Sequence, residues 1–364
     1  MVYKMKNRII FFHLLNDYSG SPHVLSLVVK GFAERGYVID LFTSSTSDGF
    51  LSDIKGITYH EIYYKFSKNK ILTFILFVIV QIRFFFAVIR YVFNRNAIVY
   101  VNTILPFGAA LGAVFTRKKL IYHVHEKPVV VNALYIVAMC VFRLCAHKTI
   151  FVSKYLYDQY QITSKKYLIY NSLSPEFYSK AKQHSVILNE PFTVLMVCSL
   201  KVYKGINEFK ELAKYLPQYN FTLILNSSKE EVFAFYRRVE VPKNMEILST
   251  QTDLHPFYEK ANLVLNLSRP DLWVETFGLT ALEAMAYGIP VIVPPVGGIA
   301  EIIESGIQGY KVDSRDLNLL IDRINQTFGD LRTYMDMSNN AKEKSLSFAY
   351  IKMIDEIENV IEAN

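Results

Sequence analysis

Glu275-Thr-Phe-Gly-Leu-Thr-Ala-Leu-Glu283, continued by Ala284-Met-Ala-Tyr-Gly-Ile-Pro-Val291 and closed by Gly297-Gly298-Ile-Ala-Glu301, is the stretch on which the fold turns. An apolar run of strand length, Leu263–Leu267, precedes it, and a second, Pro290–Val293, lies inside it. Strand, glycine turn, helix and strand in that order make one unit of a parallel α/β sheet. Gly278 allows close backbone approach just where the helix begins, and the free N–H groups there suit an anionic phosphate. Glu275 precedes the helix and Glu283 lies about a turn and a half into it, so both are expected to reach the carboxyl edge of the sheet, where open α/β sheets bind ligands. Carboxylates accept hydrogen bonds from vicinal hydroxyls, which makes sugar and ribose rings natural partners. Either glutamate alone reads as a solvated residue of an amphipathic helix.

Working outward, the same rhythm fills the chain. In the first half the expected strands are Arg8–Leu15, Val38–Thr43, Ala97–Val101, Lys119–Val124, Thr149–Val152 and Tyr167–Tyr170. In the second they are Phe192–Cys198, Phe221–Leu225, Met245–Leu248, Leu263–Leu267, Pro290–Val293 and Gly309–Val312. A length of 364 residues suits two domains, each able to bury its own core. The expected organisation is two doubly wound Rossmann-like domains, 1–180 and 181–345, with a helix at 346–364 packing back on the first. Asn171–Pro191, containing Ser, Lys and Pro, reads as the linker. With 51% hydrophobic and 20% charged residues the chain is not disordered. Three cysteines, Cys140, Cys145 and Cys198, are too few for a disulfide framework or a metal knuckle and suit a reducing compartment. The start, MVYKMKNRIIFFHLL, lacks a small-residue cleavage site and reads as a first buried strand.

Charge is unevenly shared. Residues 1–182 hold 23 Lys+Arg against 9 Asp+Glu, and residues 183–364 hold 17 against 24. No nucleic-acid motif accompanies the basic half, and an anionic membrane surface suits the apolar segments beside it. Ile71–Phe93 approaches the ~20 residues of a membrane span but carries Arg83 and Arg90 on one helical side. Two readings stay open, a helix buried on the sheet and an interfacial helix aided by Lys65, Lys68 and Lys70. Val129–Ala146 reads as core.

Taken together, these residues resemble the retaining glycosyltransferases of family 4, the group 1 glycosyltransferases of GT-B fold. The resemblance rests on the two glutamates at their spacing, Phe277-Gly278-Leu279, Glu283-Ala-Met-Ala, Gly288-Ile-Pro-Val and Gly297-Gly298…Glu301. It extends to Ser19-Gly20, His125-Glu126, Val152-Ser153, Asn171-Ser172 and Lys204-Gly205. It implies that Glu275 meets the hydroxyls of the transferred sugar, Glu283 the ribose and Lys204 the diphosphate. Gly278 and Leu279 would offer backbone N–H groups, with Phe277 and Thr280 as further candidates beside them. Gly20 would approach the phosphates, and His125 would stand close to the sugar and the reacting centre. His123, one step deeper in the same strand, reads as structural.

Two departures stand out. Where the family usually has a Gly-Arg pair, this chain has Cys198 and Ser199, so Lys201 is the candidate for the missing charge, as a point charge in place of a fork. The amino-terminal loop, often two glycines, is Ser19-Gly20-Ser21-Pro22.

The resemblance thus implies a GT-B enzyme with an interdomain cleft, moving a sugar from a nucleotide-sugar donor to a glycan or lipid-linked acceptor with retention of configuration. No metal or other cofactor is expected, the setting is the cytoplasmic side of a bacterial membrane, and the pathway is surface polysaccharide or lipopolysaccharide assembly. A non-catalytic sugar-nucleotide-binding subunit and a sugar-nucleotide 2-epimerase are the alternatives.

Overall fold

The computed structural model describes residues 7–45, 48–65, 67, 69–127, 133–184, 188 and 190–363. Contacts divide the chain into two compact units, Met1–Asn171 with Ile351–Asn364, and Ser172–Tyr350.

In the first unit the apolar runs become parallel strands because most of them are buried on both faces, as in Ile9–Phe12 and Val99–Val101. The strands are β1 (Arg8–Phe12), β2 (Val38–Ser44), β3 (Thr58–Ile62), β4 (Ile98–Asn102), β5 (Lys119–Val124), β6 (Lys148–Phe151) and β7 (Lys165–Leu168). They pair in the order β3-β2-β1-β4-β5-β6-β7. Helices α1 (Gly20–Glu34), α2 (Lys70–Ile89), α3 (Phe107–Phe115), α4 (Ala133–Cys145) and α5 (Lys154–Gln159) connect them.

The second unit opens with α6 (Pro175–Gln183), followed by β8 (Thr193–Ser199), α7 (Ile206–Tyr215), β9 (Asn220–Asn226), α8 (Lys229–Tyr236), β10 (Met245–Leu248) and α9 (His255–Lys260). It continues with β11 (Leu263–Leu265), α10 (Leu279–Ala286), β12 (Val291–Val293), β13 (Gly309–Lys311), α11 (Leu317–Gly329) and α12 (Leu331–Leu346). Its order is β10-β9-β8-β11-β12-β13. The core gathers Phe209 and Leu212 of α7, Leu223 and Leu225 of β9, and Leu320 and Ile324 of α11.

Both sheets reverse direction of winding once, between β1 and β4 and between β8 and β11. At such a switch point the loops leaving the two strands diverge to opposite faces and leave a crevice at the carboxyl ends.

Three details depart from expectation. β3 is an additional strand at the sheet edge, with Thr58, His60 and Glu61 among its five residues. His60 there stacks on Phe42 at 4.2 Å and meets Asp40 at 2.7 Å. The linker contains α6, because Ser174 caps the Phe177 N–H at 3.0 Å, Pro175 occupies the first turn and Glu176 follows it. The boundary accordingly falls after Asn171 rather than at 180, since α6 packs on the second unit, with the Tyr178 hydroxyl donating to the Ser345 carbonyl at 2.7 Å.

At the other end, α13 (Tyr350–Glu362) is held to the first unit by charge. Arg35 pairs with Asp355 and Glu358, the Tyr37 hydroxyl donates to Glu358 at 2.8 Å, and the Lys148 ammonium caps the Val360 carbonyl at 2.8 Å. A cation at the carbonyl end of a helix opposes its dipole.

Candidate functional site

Lys204 follows β8 and Glu275 lies in the loop after β11, so the two flank the switch point of the second unit. They form an ion pair largely shielded from solvent. The Ser268 hydroxyl donates to the same carboxylate oxygen at 2.7 Å. Burial alone would raise the Glu275 carboxyl, but the charge and hydrogen bond of Lys204, with Ser268 and Asn266, outweigh it and hold the group below its usual value. Lys204 also lies 5.2 Å from the Trp273 ring centre, and Trp273 stacks on Tyr203 at 5.4 Å. The cation thus has an aromatic floor.

The glycines of the motif interlock around this pair. Gly205 sits at φ +82, and a Cβ on it would lie 2.3 Å from the Leu267 carbonyl. Gly297 sits at φ +105, where a Cβ would lie 2.3 Å from the Glu275 carbonyl, and the next N–H, of Gly298, donates to that carbonyl at 2.8 Å. The loops after β8, β11 and β12 therefore meet with their backbones in contact. Gly278, at φ +90, caps α10 from the left-handed region, so the first N–H groups of the helix, at Leu279 and Thr280, open on partly exposed backbone.

The other expected residues fall differently. The Phe277 ring is buried against Phe348 at 5.8 Å, so its side chain belongs to packing and only its backbone lies in the loop. Ser199 ends β8 half-buried and Lys201 is exposed, its charge felt by Glu231. Cys198 has its thiol pushed up to about 12 by burial, with Lys204 and Glu275 acting on it in opposite senses.

Glu283 is buried within α10 and accepts a hydrogen bond from the Tyr258 hydroxyl at 2.6 Å. Burial raises its carboxyl above the ordinary 4.5, with the Tyr258 bond opposing. The folded chain then holds this proton more tightly than the unfolded one, so its contribution to stability is full below about 4.5 and declines as pH rises towards the folded value. Glu283→Gln is expected to flatten that decline in the thermal midpoint, to be read by calorimetric scans across pH.

In the first unit Gly20 begins α1 after β1, its turn tied by the Asp17 carboxylate accepting from Ser19 N–H at 2.9 Å. His125 follows β5 and meets Asn102, the last residue of β4, through Nε2 and Oδ1 at 2.9 Å. The Asn102 Nδ2 donates to the Ser21 carbonyl at 3.2 Å and to His13 Nδ1 at 3.1 Å. A carbonyl only accepts, so the amide orientation is fixed, Oδ1 faces the imidazole and His125 carries its proton on Nε2. Asn102 thus bridges Gly20's loop and His125 across the switch point of this sheet.

Burial and the neighbouring His123 and His13 keep His125 neutral, well below its usual pKa. His123 is buried, bonded to the Tyr100 hydroxyl at 2.8 Å. Glu126 accepts from Ile104 N–H at 2.7 Å and His125 N–H at 3.1 Å, and burial pushes its carboxyl up to about 7. Asn102→Asp is expected to raise the His125 pKa, because a carboxylate would replace the amide oxygen at the ring N–H. The histidine proton resonances, followed through a pH titration, would read it.

No motif in the sequence points to Ser268, Trp273, Tyr258, His13 or Asn102. Ser268 and Asn102 carry a recoverable signal, since each lies at or just beyond the end of an apolar strand run. Tyr258 and Trp273 carry none, because their roles depend on loops folding back. Among the described residues, no three His, Cys, Asp or Glu side chains converge as a metal site.

Residues 178–344 match the family described as glycosyl transferases group 1. Among curated proteins the chain is 26% identical over 184 residues to N-acetyl-alpha-D-glucosaminyl L-malate synthase of Bacillus anthracis, covering 48% of this chain and 47% of that one. It is 24% identical over 188 residues to D-inositol 3-phosphate glycosyltransferase of Paenarthrobacter aurescens, covering 49% and 45%. The chain therefore spans about half the length of these curated relatives. Among solved structures, Anabaena HepE in complex with UDP-glucose superposes with a TM-score of 0.76 at 19% identity, over 98% of this chain and 99% of that one. WaaG, a glycosyltransferase involved in lipopolysaccharide biosynthesis, gives a TM-score of 0.72 at 13% identity, over 98% and 100%. The fold is GT-B, as the sequence leads one to expect.

Proposed function

We propose, starting from residues 178–344 as a group 1 glycosyl transferase domain, that the protein moves a sugar from a nucleotide-sugar donor to a hydroxyl of a glycan or lipid-linked acceptor, with retention of configuration as in family 4. The observation that carries the reading is the Lys204–Glu275 pair at the switch point of the second unit, beside the open start of α10. A nucleotide sugar has a doubly charged diphosphate joined directly to a ring of hydroxyls, and this pair sets a cation and a hydrogen-bond-accepting carboxylate at adjacent positions.

In this reading Lys204 and the N–H groups of Leu279 and Thr280 take the diphosphate, and their fixed charge and dipoles stabilise the nucleoside diphosphate as it leaves. Glu275, ionised because Lys204 holds it so, accepts from the sugar hydroxyls. Glu283 accepts from the ribose, and neutral His125 and Gly20 are the candidates for substrate contact within the first unit. Attack by the acceptor hydroxyl on the same face needs no covalent nucleophile, and the cation and helix start supply what a metal would otherwise give. The setting is the inner face of a bacterial membrane, in surface polysaccharide or lipopolysaccharide assembly.

The test is a panel of nucleotide sugars followed by thermal shift, then by release of nucleoside diphosphate. A stabilising donor whose diphosphate is released only when acceptor is present, unchanged by a chelator, is expected. Stabilisation without release under any acceptor would instead mean a binding subunit. Release without acceptor, with a rearranged sugar, would mean an epimerase.

A further inference from the structure

Helix α2 is apolar on two opposite sides. One side, Phe77, Val80, Gln81, Phe84, Ala87 and Val88, is buried in the first unit. The opposite stripe, Ile71, Ile75, Ile79, Ile82 and Phe86, is exposed, with Phe86 57% accessible. These positions recur at helical spacing, so the stripe is continuous along the helix. Phe93 beyond its end is 94% accessible.

The stripe does not stop at α2. Gly108 and Gly112 let α3 approach closely, since a Cβ at Gly108 would lie 2.0 Å from the Gln81 carbonyl and one at Gly112 2.9 Å from the Phe85 carbonyl. Phe85 meets Phe115 at 5.8 Å, and α3 adds exposed Leu111, Val114 and Phe115, the last 72% accessible. A monomeric soluble surface seldom keeps so large a contiguous apolar area uncovered.

Charge identifies the covering. Between Glu61 and Glu126 the sequence has no acidic residue, while Lys70, Arg83, Arg90, Arg95, Arg117 and Lys119 fall on or beside these two helices and are exposed. By helical spacing Arg83 and Arg90 lie along one edge of the stripe. A second copy of the chain would bring the same positive charge to the contact, whereas an anionic lipid surface neutralises it.

A spanning arrangement does not fit. The buried side of α2 is committed to protein, and the Gln81 Oε1 accepts from the Gly108 N–H at 2.8 Å. We infer that the exposed stripe of α2 with the outer residues of α3 lies flat in the headgroup region of an anionic bilayer, dipping about 5–10 Å, with arginines at its rim. This deepens the membrane setting of the proposed function by naming the surface and its mode. It is measured without any donor sugar, so loss of transfer and loss of docking are separate results.

The test is flotation of the full chain with vesicles of phosphatidylcholine, with and without phosphatidylglycerol. Binding to the anionic vesicles alone is expected, weakened by salt and released by alkaline carbonate. Arg83→Glu with Arg90→Glu should weaken it by on the order of tenfold or more. Ile82→Glu with Phe86→Glu should abolish it while the thermal midpoint holds; should that pair fail to fold, the arginine pair decides. Equal binding to neutral vesicles, resistance to carbonate, absence of binding, or self-association through Ile82 and Phe86 without lipid would each overturn the inference.

Discussion

Glu275→Gln is expected to lower turnover by about a hundredfold or more while donor affinity changes only a few-fold. The substitution keeps the size of the side chain and an oxygen able to accept from Ser268, so the loop geometry should persist. What it removes is the negative charge that Lys204 stabilises, and with it the acceptor that the proposed function assigns to the sugar hydroxyls. Stability should respond on the acid side. In the wild type the carboxyl lies below its usual value, so its contribution is present above the unfolded value and is lost as pH falls through the folded one. The variant has no such group, and its thermal midpoint should fall less between neutral and acid pH. Titration with donor, steady-state rates and calorimetric scans together read the prediction. A variant that binds donor poorly yet turns over normally would reverse the assignment.

Most of the fold was legible because parallel strands buried on both faces announce themselves as apolar runs. All twelve expected runs became strands to within a few residues, among them Lys119–Val124 and Met245–Leu248 with their expected ends. β3 escaped because Thr-Tyr-His-Glu-Ile, at a sheet edge, is not an apolar run and is stabilised by His60 on Asp40 and Phe42. α6 escaped for a different reason. Its Ser-Pro-Glu start suits a linker by composition, whereas in order it is a helix start.

The placement of the candidate residues at the sheet's carboxyl edge was legible where a glycine or a charge had to stand at a fixed place in the chain. Lys204 and Gly297 stand a few residues past β8 and β12, Gly278 closes the longer loop after β11, and strand ends converge in a doubly wound sheet. Phe277 shows the limit, since adjacency to Gly278 suggested a ligand contact while its ring is part of the core. Asn102 shows another. Its function as a bridge needs β1, β4 and β5 side by side, a pairing that the sequence does not spell out. The open choice for Ile71–Phe93, core helix or interfacial helix, resolves into one helix with a buried side and an exposed apolar side.

Lys204→Met is the second large effect expected, and its size depends on two losses that can be separated. Direct loss of a charge-assisted hydrogen bond, about 1.5–3 kcal/mol, corresponds to at least roughly tenfold weaker binding of nucleoside diphosphate. In addition, Glu275 is left without its cation, and in the proposed function an unpaired carboxylate beside the diphosphate repels it. Removal of one partner from a shielded pair also costs stability, about 3 kcal/mol. With its opposing charge gone, burial would raise the Glu275 carboxyl, so binding by the single variant should recover partly as pH falls. Combining Lys204→Met with Glu275→Gln should restore the thermal midpoint and abolish that pH dependence, leaving only the direct loss of affinity. Lys201→Ala should change affinity much less, because Lys201 is exposed and its charge acts on Glu231. Calorimetric titration of the four proteins at two pH values gives the answer: equal losses at the two lysines would mean a shared clamp, and a loss at Lys201 alone would move the diphosphate site away from Glu275 altogether.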